Sequence, residues 1–109
     1  MEIEVNKDNF EEVVVSSKGL FLLDYWGPSC QPCLALMPFV DELAGKHKEA
    51  LKVGKVDSSQ NRRLCISQKV MSLPSFLMYK DGQEVGRLTG NAATKEELGK
   101  FVASYLQEN

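Results

Sequence analysis

The sequence predicts an α/β sandwich in which a mixed β-sheet lies between two helical layers. Three observations lead there. Strand-like apolar runs alternate with segments of helical period over much of the chain, Asp81-Gly82 joins two further strand-like runs, and the C-terminal segment reads as a capped amphipathic helix. With 109 residues, the chain suffices for one such domain, residues 1–109, and is too short for two independent cores.

Residues 3–5 predict a short strand, after which Asp8 or Asn9 is placed to cap a helix whose Phe10, Val13 and Val14 share one face. Residues 16–19 break that helix. The run 20–25 is almost free of polar interruption and suits a central strand covered on both faces, with Asp24 as its anomaly. Within 31–50, Cys33, Leu36, Met37, Val40, Leu43, Ala44 and His47 recur at three- and four-residue steps, which predicts one long helix. Pro38 lies inside it and lacks a backbone donor, so a kink costing about 3 kcal/mol is expected rather than two separate helices.

Residues 51–57 predict the next strand, and the polar run 58–63 leads into a short helix near 62–68. Residues 75–79 and 84–89 flank a turn containing Asp81-Gly82, the pattern of an antiparallel hairpin. Thr94 precedes Glu97 by three positions, as in a capping box, and Leu98, Phe101, Val102, Tyr105 and Leu106 form the apolar face that follows.

Composition excludes several functions. Lys and Arg number 13 against 15 Asp and Glu, a net charge of -2 that offers no broad positive field to nucleic acid. Hydrophobic residues at 43% and charged residues at 26% describe a soluble globular chain rather than a disordered tail or a membrane protein. If Met1 is the true start, the acidic Met1-Glu2-Ile3-Glu4-Val5 is no secretory signal, and the expected compartment is the cytoplasm.

The chemistry concentrates in Trp26-Gly27-Pro28-Ser29-Cys30-Gln31-Pro32-Cys33, where two thiols stand three positions apart at the junction of a strand and a helix. Two such sulfurs can close a disulfide and open it again. Three cysteines are too few for a structural disulfide framework, and a reducing compartment keeps two neighbouring thiols available for turnover.

Asp24-Tyr25-Trp26, the Cys-x-Pro-Cys at 30–33, Pro38, Lys55, Ser72-Leu73-Pro74-Ser75 and Gly90, in this order, resemble the thioredoxin family over nearly the whole length. The resemblance implies a thioredoxin fold, a three-layer sandwich with a central mixed sheet of four or five strands, and a dithiol at the start of the second helix. It implies protein thiol–disulfide oxidoreductase activity without cofactor or metal. A helix N-terminus stabilises a thiolate, so Cys30 is the expected nucleophile, and Cys33, shielded inside the first turn, the resolving thiol. Asp24, a carboxylate in an apolar strand whose pKa burial should raise, takes the family's proton-transfer role, supported by Lys55.

Pro74 resembles the family's cis-proline, where an X–Pro bond without that context is expected to be trans. By the same analogy the substrate groove comprises Trp26, Gln31, Pro32, Leu73, Pro74, Thr89 and Gly90, with Trp26 also packing in the core. The implied partners are disulfide-containing proteins and a thioredoxin reductase as electron donor, with no nucleic acid or membrane and a monomeric chain. Three departures touch partner contact. Gln31-Pro32 replaces the usual Gly-Pro, Ser29 stands where a second Trp is common, and Leu34 where Lys is common. Pro32 nonetheless resembles reducing members.

Two rival readings differ in class. Cys30, Cys33, His47 and Cys65 are the ligand types of a zinc site, but His47 lies 14 residues beyond Cys33. That is about 21 Å along a helix, far more than zinc–ligand bonds of about 2 Å permit. His47 reads instead as a packed or boundary residue and Cys65 as a small buried apolar group. A thioredoxin-like adaptor with an idle dithiol is the other alternative, against which the retention of both cysteines counts.

Overall fold

The computed structural model describes residues 2–106. Its centre is a five-stranded sheet of order β1-β3-β2-β4-β5, formed by β1 (Glu2–Glu4), β2 (Leu20–Trp26), β3 (Leu51–Asp57), β4 (Ser75–Lys80) and β5 (Gln83–Thr89). β1 and β2 both run parallel to β3, whereas β4 is antiparallel to β2 and to β5, so the sheet is mixed as expected. β2 is paired on both edges, which explains why six consecutive residues, Leu20 to Tyr25, are buried.

Alternation along β2 sends side chains to two different cores. Leu20 and Leu22 join Leu51, Val53, Phe76 and Met78 beneath α1 (Gln31–Lys46) and α3 (Lys95–Leu106). Phe21, Leu23 and Tyr25 face the other way and pack with Val5, Phe10, Val14, Leu64 and Cys65, the last two from α2 (Arg62–Ser67). Helices therefore cover both faces.

The elements depart from expectation mainly at their ends. The long helix stops at Lys46 rather than near residue 50, because the His47 carbonyl accepts the N–H groups of Ala50 and Leu51 and turns the chain into β3. It runs continuously through Pro38. Neither Asp8 nor Asn9 alone caps the first helical turn. Instead Asn6 Oδ1 accepts the N–H groups of Asp8 and Asn9, at 2.8 and 3.0 Å, while Asn9 Oδ1 accepts that of Asn6 at 2.8 Å. The helical turn Glu11–Val15 is then wound wide, with the Ser16 N–H reaching the Glu11 carbonyl at 3.0 Å.

The capping box of α3 keeps one of its bonds, Glu97 N–H to Thr94 Oγ1 at 3.1 Å. An unexpected tie comes from Arg87 of β5. It pairs with Glu84 at 2.6 Å and donates 2.9 Å hydrogen bonds to the carbonyls of Lys69 and Gln68 just past α2. That bond pair fixes the start of the segment leading to Pro74.

The hairpin turn is doubly constrained. Asp81 and Gly82 take φ of 51° and 84°, the left-handed pair that a two-residue turn requires. Asp81 also clamps the earlier turn, its Oδ1 accepting the Gly19 N–H at 2.8 Å and its own N–H donating to the Gly19 carbonyl at 2.9 Å. A Cβ at Gly82 would run into the Val15 carbonyl oxygen. Gly82→Ala therefore meets both a strained φ and immovable backbone, and should lower unfolding free energy by roughly 1–3 kcal/mol in urea titration while leaving disulfide exchange by the folded protein unchanged.

Candidate functional site

β2 ends at Trp26, and Gly27, Pro28 and Ser29 carry the chain across to α1, whose N-cap is Cys30. The Cys30 N–H donates to the Gly27 carbonyl at 3.0 Å, and Cys30 Sγ accepts the Cys33 N–H at 3.2 Å. Pro32 sits in the first turn, where a missing N–H is not needed for the helical ladder. Cys30 and Cys33 are joined in a disulfide with Cα atoms 5.3 Å apart, as the sequence spacing allows. Their exposure differs: Cys33 is 2% exposed, while Cys30 is only half-buried.

Facing the dithiol, the Leu73–Pro74 peptide bond is cis. The Pro74 carbonyl accepts the Gly90 N–H at 2.8 Å, and the Ser75 hydroxyl donates to the Ser72 carbonyl at 2.6 Å. Thr89 is the β-partner of Ser75, so Pro74, Thr89 and Gly90 come together as expected. Gly90 takes a φ of 63°, a conformation suited to glycine. The main-chain N–H and C=O of Leu73 make no hydrogen bond to any described residue.

A cleft of about 440 Å³ opens beside Cys30, lined by Gly27, Pro28, Ser29, Ser58, Ser59 and Leu73. Of the expected groove, Leu73 lies in this cleft. Gln31 and Pro32 are exposed on the first turn of α1. Trp26, half-buried, instead lines a second cleft of about 290 Å³ together with Met37, Lys55, Asp57 and Glu2. Ser58 and Ser59 escaped the sequence reading, which placed Gly27 in the active-site stretch but not in the groove. A Cβ at Gly27 would stand 3.2 Å from Leu73 Cδ1 and crowd the two walls of the cleft.

Asp24 is 2% exposed and lies directly opposite Lys55 in the β2/β3 register, so both side chains project from one face of the sheet, the face beneath α1. Lys55 does not pair with it. Its ammonium is 3.4 Å from Glu2 Oε1 and 3.3 Å from Asp41 Oδ1, and no hydrogen bond or ion pair among the described residues reaches the Asp24 carboxyl. Burial accordingly pushes Asp24 up to about 7, with Lys55 pulling the other way and Glu2 and Asp41 adding to the rise. Burial alone would lower the Lys55 ammonium, but Glu2 and Asp41 outweigh it and hold it above its ordinary value.

The remaining candidates lie apart from this chemistry. Cys65 is a free thiol buried in the core under α2, and His47 is half-buried at the end of α1. Among the described residues no group of three His, Cys, Asp or Glu side chains is placed to hold a metal ion, and no helix is long and apolar enough to cross a membrane.

The family model described as Thioredoxin matches residues 1–104. The chain is 40% identical over 104 residues to a thioredoxin of Peptoclostridium acidaminophilum, covering 95% of this chain and 94% of the relative. A thioredoxin of Acetoanaerobium sticklandii is 39% identical over 103 residues, covering 94% and 98% of the two chains. An M-type chloroplastic thioredoxin of Chlamydomonas reinhardtii is 33% identical over 102 residues, covering 94% of this chain and 72% of its own. With a dithiol at the head of α1 and a family match across the sheet and helices that hold it, the chain belongs to the thioredoxin family and is a thiol–disulfide oxidoreductase, a protein-disulfide reductase.

Proposed function

We propose that the protein reduces disulfides in other proteins by dithiol–disulfide exchange, with Cys30 as the attacking sulfur and Cys33 as the resolving sulfur. The observation that carries this division is the unequal access of the two sulfurs: Cys30 is half-exposed at the N-cap, whereas Cys33 is 2% exposed. The Cys33 N–H already points at Cys30 Sγ, and the positive end of α1 adds to it, so a Cys30 thiolate is favoured over the thiol.

In the first step the Cys30 thiolate attacks one sulfur of the substrate disulfide, forming a mixed disulfide and expelling the other sulfur as a thiolate. Cys33 then passes its proton to the Asp24 carboxylate and attacks Cys30 Sγ. The Cys30–substrate bond breaks, the second substrate sulfur leaves reduced, and the protein holds the Cys30–Cys33 disulfide. Two electrons have moved from the dithiol to the substrate. A thioredoxin reductase returns them in the next half-cycle, and a reducing, cytoplasmic compartment suits this cycle.

Asp24 suits the acceptor role because a carboxyl raised to about 7 exchanges its proton near neutral pH. Lys55 acts on it through charge. The unpaired N–H and C=O of Leu73, held beside the dithiol by the Pro74 and Gly90 contacts, support binding of an extended substrate segment through strand-like pairing. Gln31, Pro32, Thr89 and Gly90 border that segment, and Trp26 closes the far side of the dithiol. Gln31 and Ser29, exposed at the mouth, put polar groups where a partner docks, which selects a partner surface less apolar than a tryptophan at residue 29 would favour. The chain acts as a monomer and needs neither metal nor cofactor for this reaction.

Trapping tests the order of attack. Cys33→Ser should accumulate a mixed disulfide with a protein substrate, visible by mass spectrometry and reversed by reductant, while Cys30→Ser should form none. Equal behaviour of the two variants would sink the mechanism.

The proton site has a thermodynamic signature. The folded-state value of Asp24, about 7, lies above the 3.8 of the free side chain, so the native state holds a proton that the unfolded chain has released. The stabilisation from that retained proton is fully present below pH 3.8 and is lost as pH rises to about 7. Asp24→Asn should thus gain roughly 2–3 kcal/mol on the wild type between pH 5 and pH 8 in urea unfolding of the oxidised protein. The same variant should slow the resolving step and flatten its pH profile near neutrality; an unaltered profile would remove Asp24 from the reaction.

A further inference from the structure

The Lys55 ammonium is gripped by carboxylates from two layers, Glu2 on the edge strand β1 and Asp41 on α1, at 3.4 and 3.3 Å. Glu2 is the more enclosed of the two, its side chain 19% exposed against 57% for Asp41, which hydrogen-bonds the ammonium. Lys55 is placed by the sheet register opposite Asp24, yet its charge is committed to the other two carboxylates. Glu4 of β1 and Asp57 of β3 line the same cleft without pairing to it, so among the described residues every other charged side chain lining that cleft is negative.

The consequence is electrostatic. An ammonium drawn toward Asp24 would stabilise its carboxylate, and one drawn toward Glu2 leaves the buried carboxyl protonated to higher pH. We propose that Glu2 is a positioning residue for disulfide exchange: with Asp41 it holds the Lys55 ammonium off the Asp24 carboxyl and so sets the pH at which Asp24 exchanges its proton. This rests on the reading of Asp24 as proton acceptor. Burial and the neighbouring Asp41 carboxyl raise Glu2 above its ordinary range, with Lys55 pulling the other way.

The titration of Asp24 can be followed by side-chain carboxyl 13C shifts in the oxidised full chain, where neither active-site cysteine titrates. Glu2→Gln should lower the Asp24 midpoint by roughly half a pH unit, the size expected of one charge acting across a partly solvated cleft. Glu2→Asp, which keeps the charge, should restore most of that shift, and Asp41→Asn should move the midpoint in the same direction as Glu2→Gln. In a Lys55→Met background the effect of Glu2→Gln should fall to less than half.

An unchanged or raised midpoint in Glu2→Gln overturns the proposal, and so does an equal shift in both backgrounds, which would make Glu2 a direct repeller of Asp24 rather than an anchor for Lys55. The pH–rate profile of protein disulfide reduction, measured on the same variants, should move with the midpoint. A midpoint that moves while the profile stays fixed would overturn Asp24 as acceptor, and with it any part for Glu2 in exchange.

Discussion

The structure depends on β2 being hydrogen-bonded along both edges. A strand in that position has no freedom to slide or fray, because β3 and β4 fix its register on either side. Its last residue, Trp26, is therefore a fixed point from which Gly27–Ser29 launch α1, and the dithiol inherits that rigidity. The same strand anchors both cores, so packing on each face holds the platform at a constant height beneath the helix.

That rigidity tolerates a cost in the middle of the strand. A carboxyl raised from 3.8 to about 7 destabilises the fold by roughly 4 kcal/mol at alkaline pH. Phe21, Leu22 and Leu23 beside it in the strand are fully buried, and each such side chain contributes roughly 1.5–3 kcal/mol. The apolar neighbours together outweigh the carboxyl, so β2 can carry an ionisable group that a marginal edge strand could not. Pairing Asp24 tightly with Lys55 would recover stability, but it would also return the carboxyl toward its ordinary range and away from neutral-pH proton exchange.

Much of this was legible from local patterns. The unbroken apolar run 20–25 marked a central strand because both faces of β2 are covered, and Asp81-Gly82 marked the hairpin because only left-handed backbone closes so short a turn. Asp24 stood out as a carboxyl where none should be. What stayed hidden depends on residues far apart in sequence. Glu2 was read as part of an acidic start, and only the parallel pairing of β1 with β3 brings it to Lys55. Arg87 carries no local signal of its role, since the carbonyls of Gln68 and Lys69 that it binds lie 19 and 18 residues away in sequence. The placement of Trp26 beside Lys55, rather than in the cleft that Leu73 lines, likewise follows from which face the strand end presents.

The cleft beside Cys30 and the charged cleft beside Trp26 share no lining residue, and this separation bears on how exchange proceeds. The cleft beside Cys30 is walled by Gly27, Pro28 and Leu73, with only serines as polar groups, and suits contact with a polypeptide. The other is walled by Glu2, Glu4, Lys55 and Asp57, and suits water and protons. In the proposed mechanism a substrate chain covers the first during the mixed-disulfide step, which desolvates the sulfurs and sharpens every charge acting on them. In the proposed mechanism the proton leaving Cys33 for Asp24 at that moment must not depend on solvent that the substrate displaces. Lys55, the register partner of Asp24, lines the charged cleft and not the cleft beside Cys30, so the ammonium nearest that carboxyl in the sheet sits away from the surface proposed for the partner.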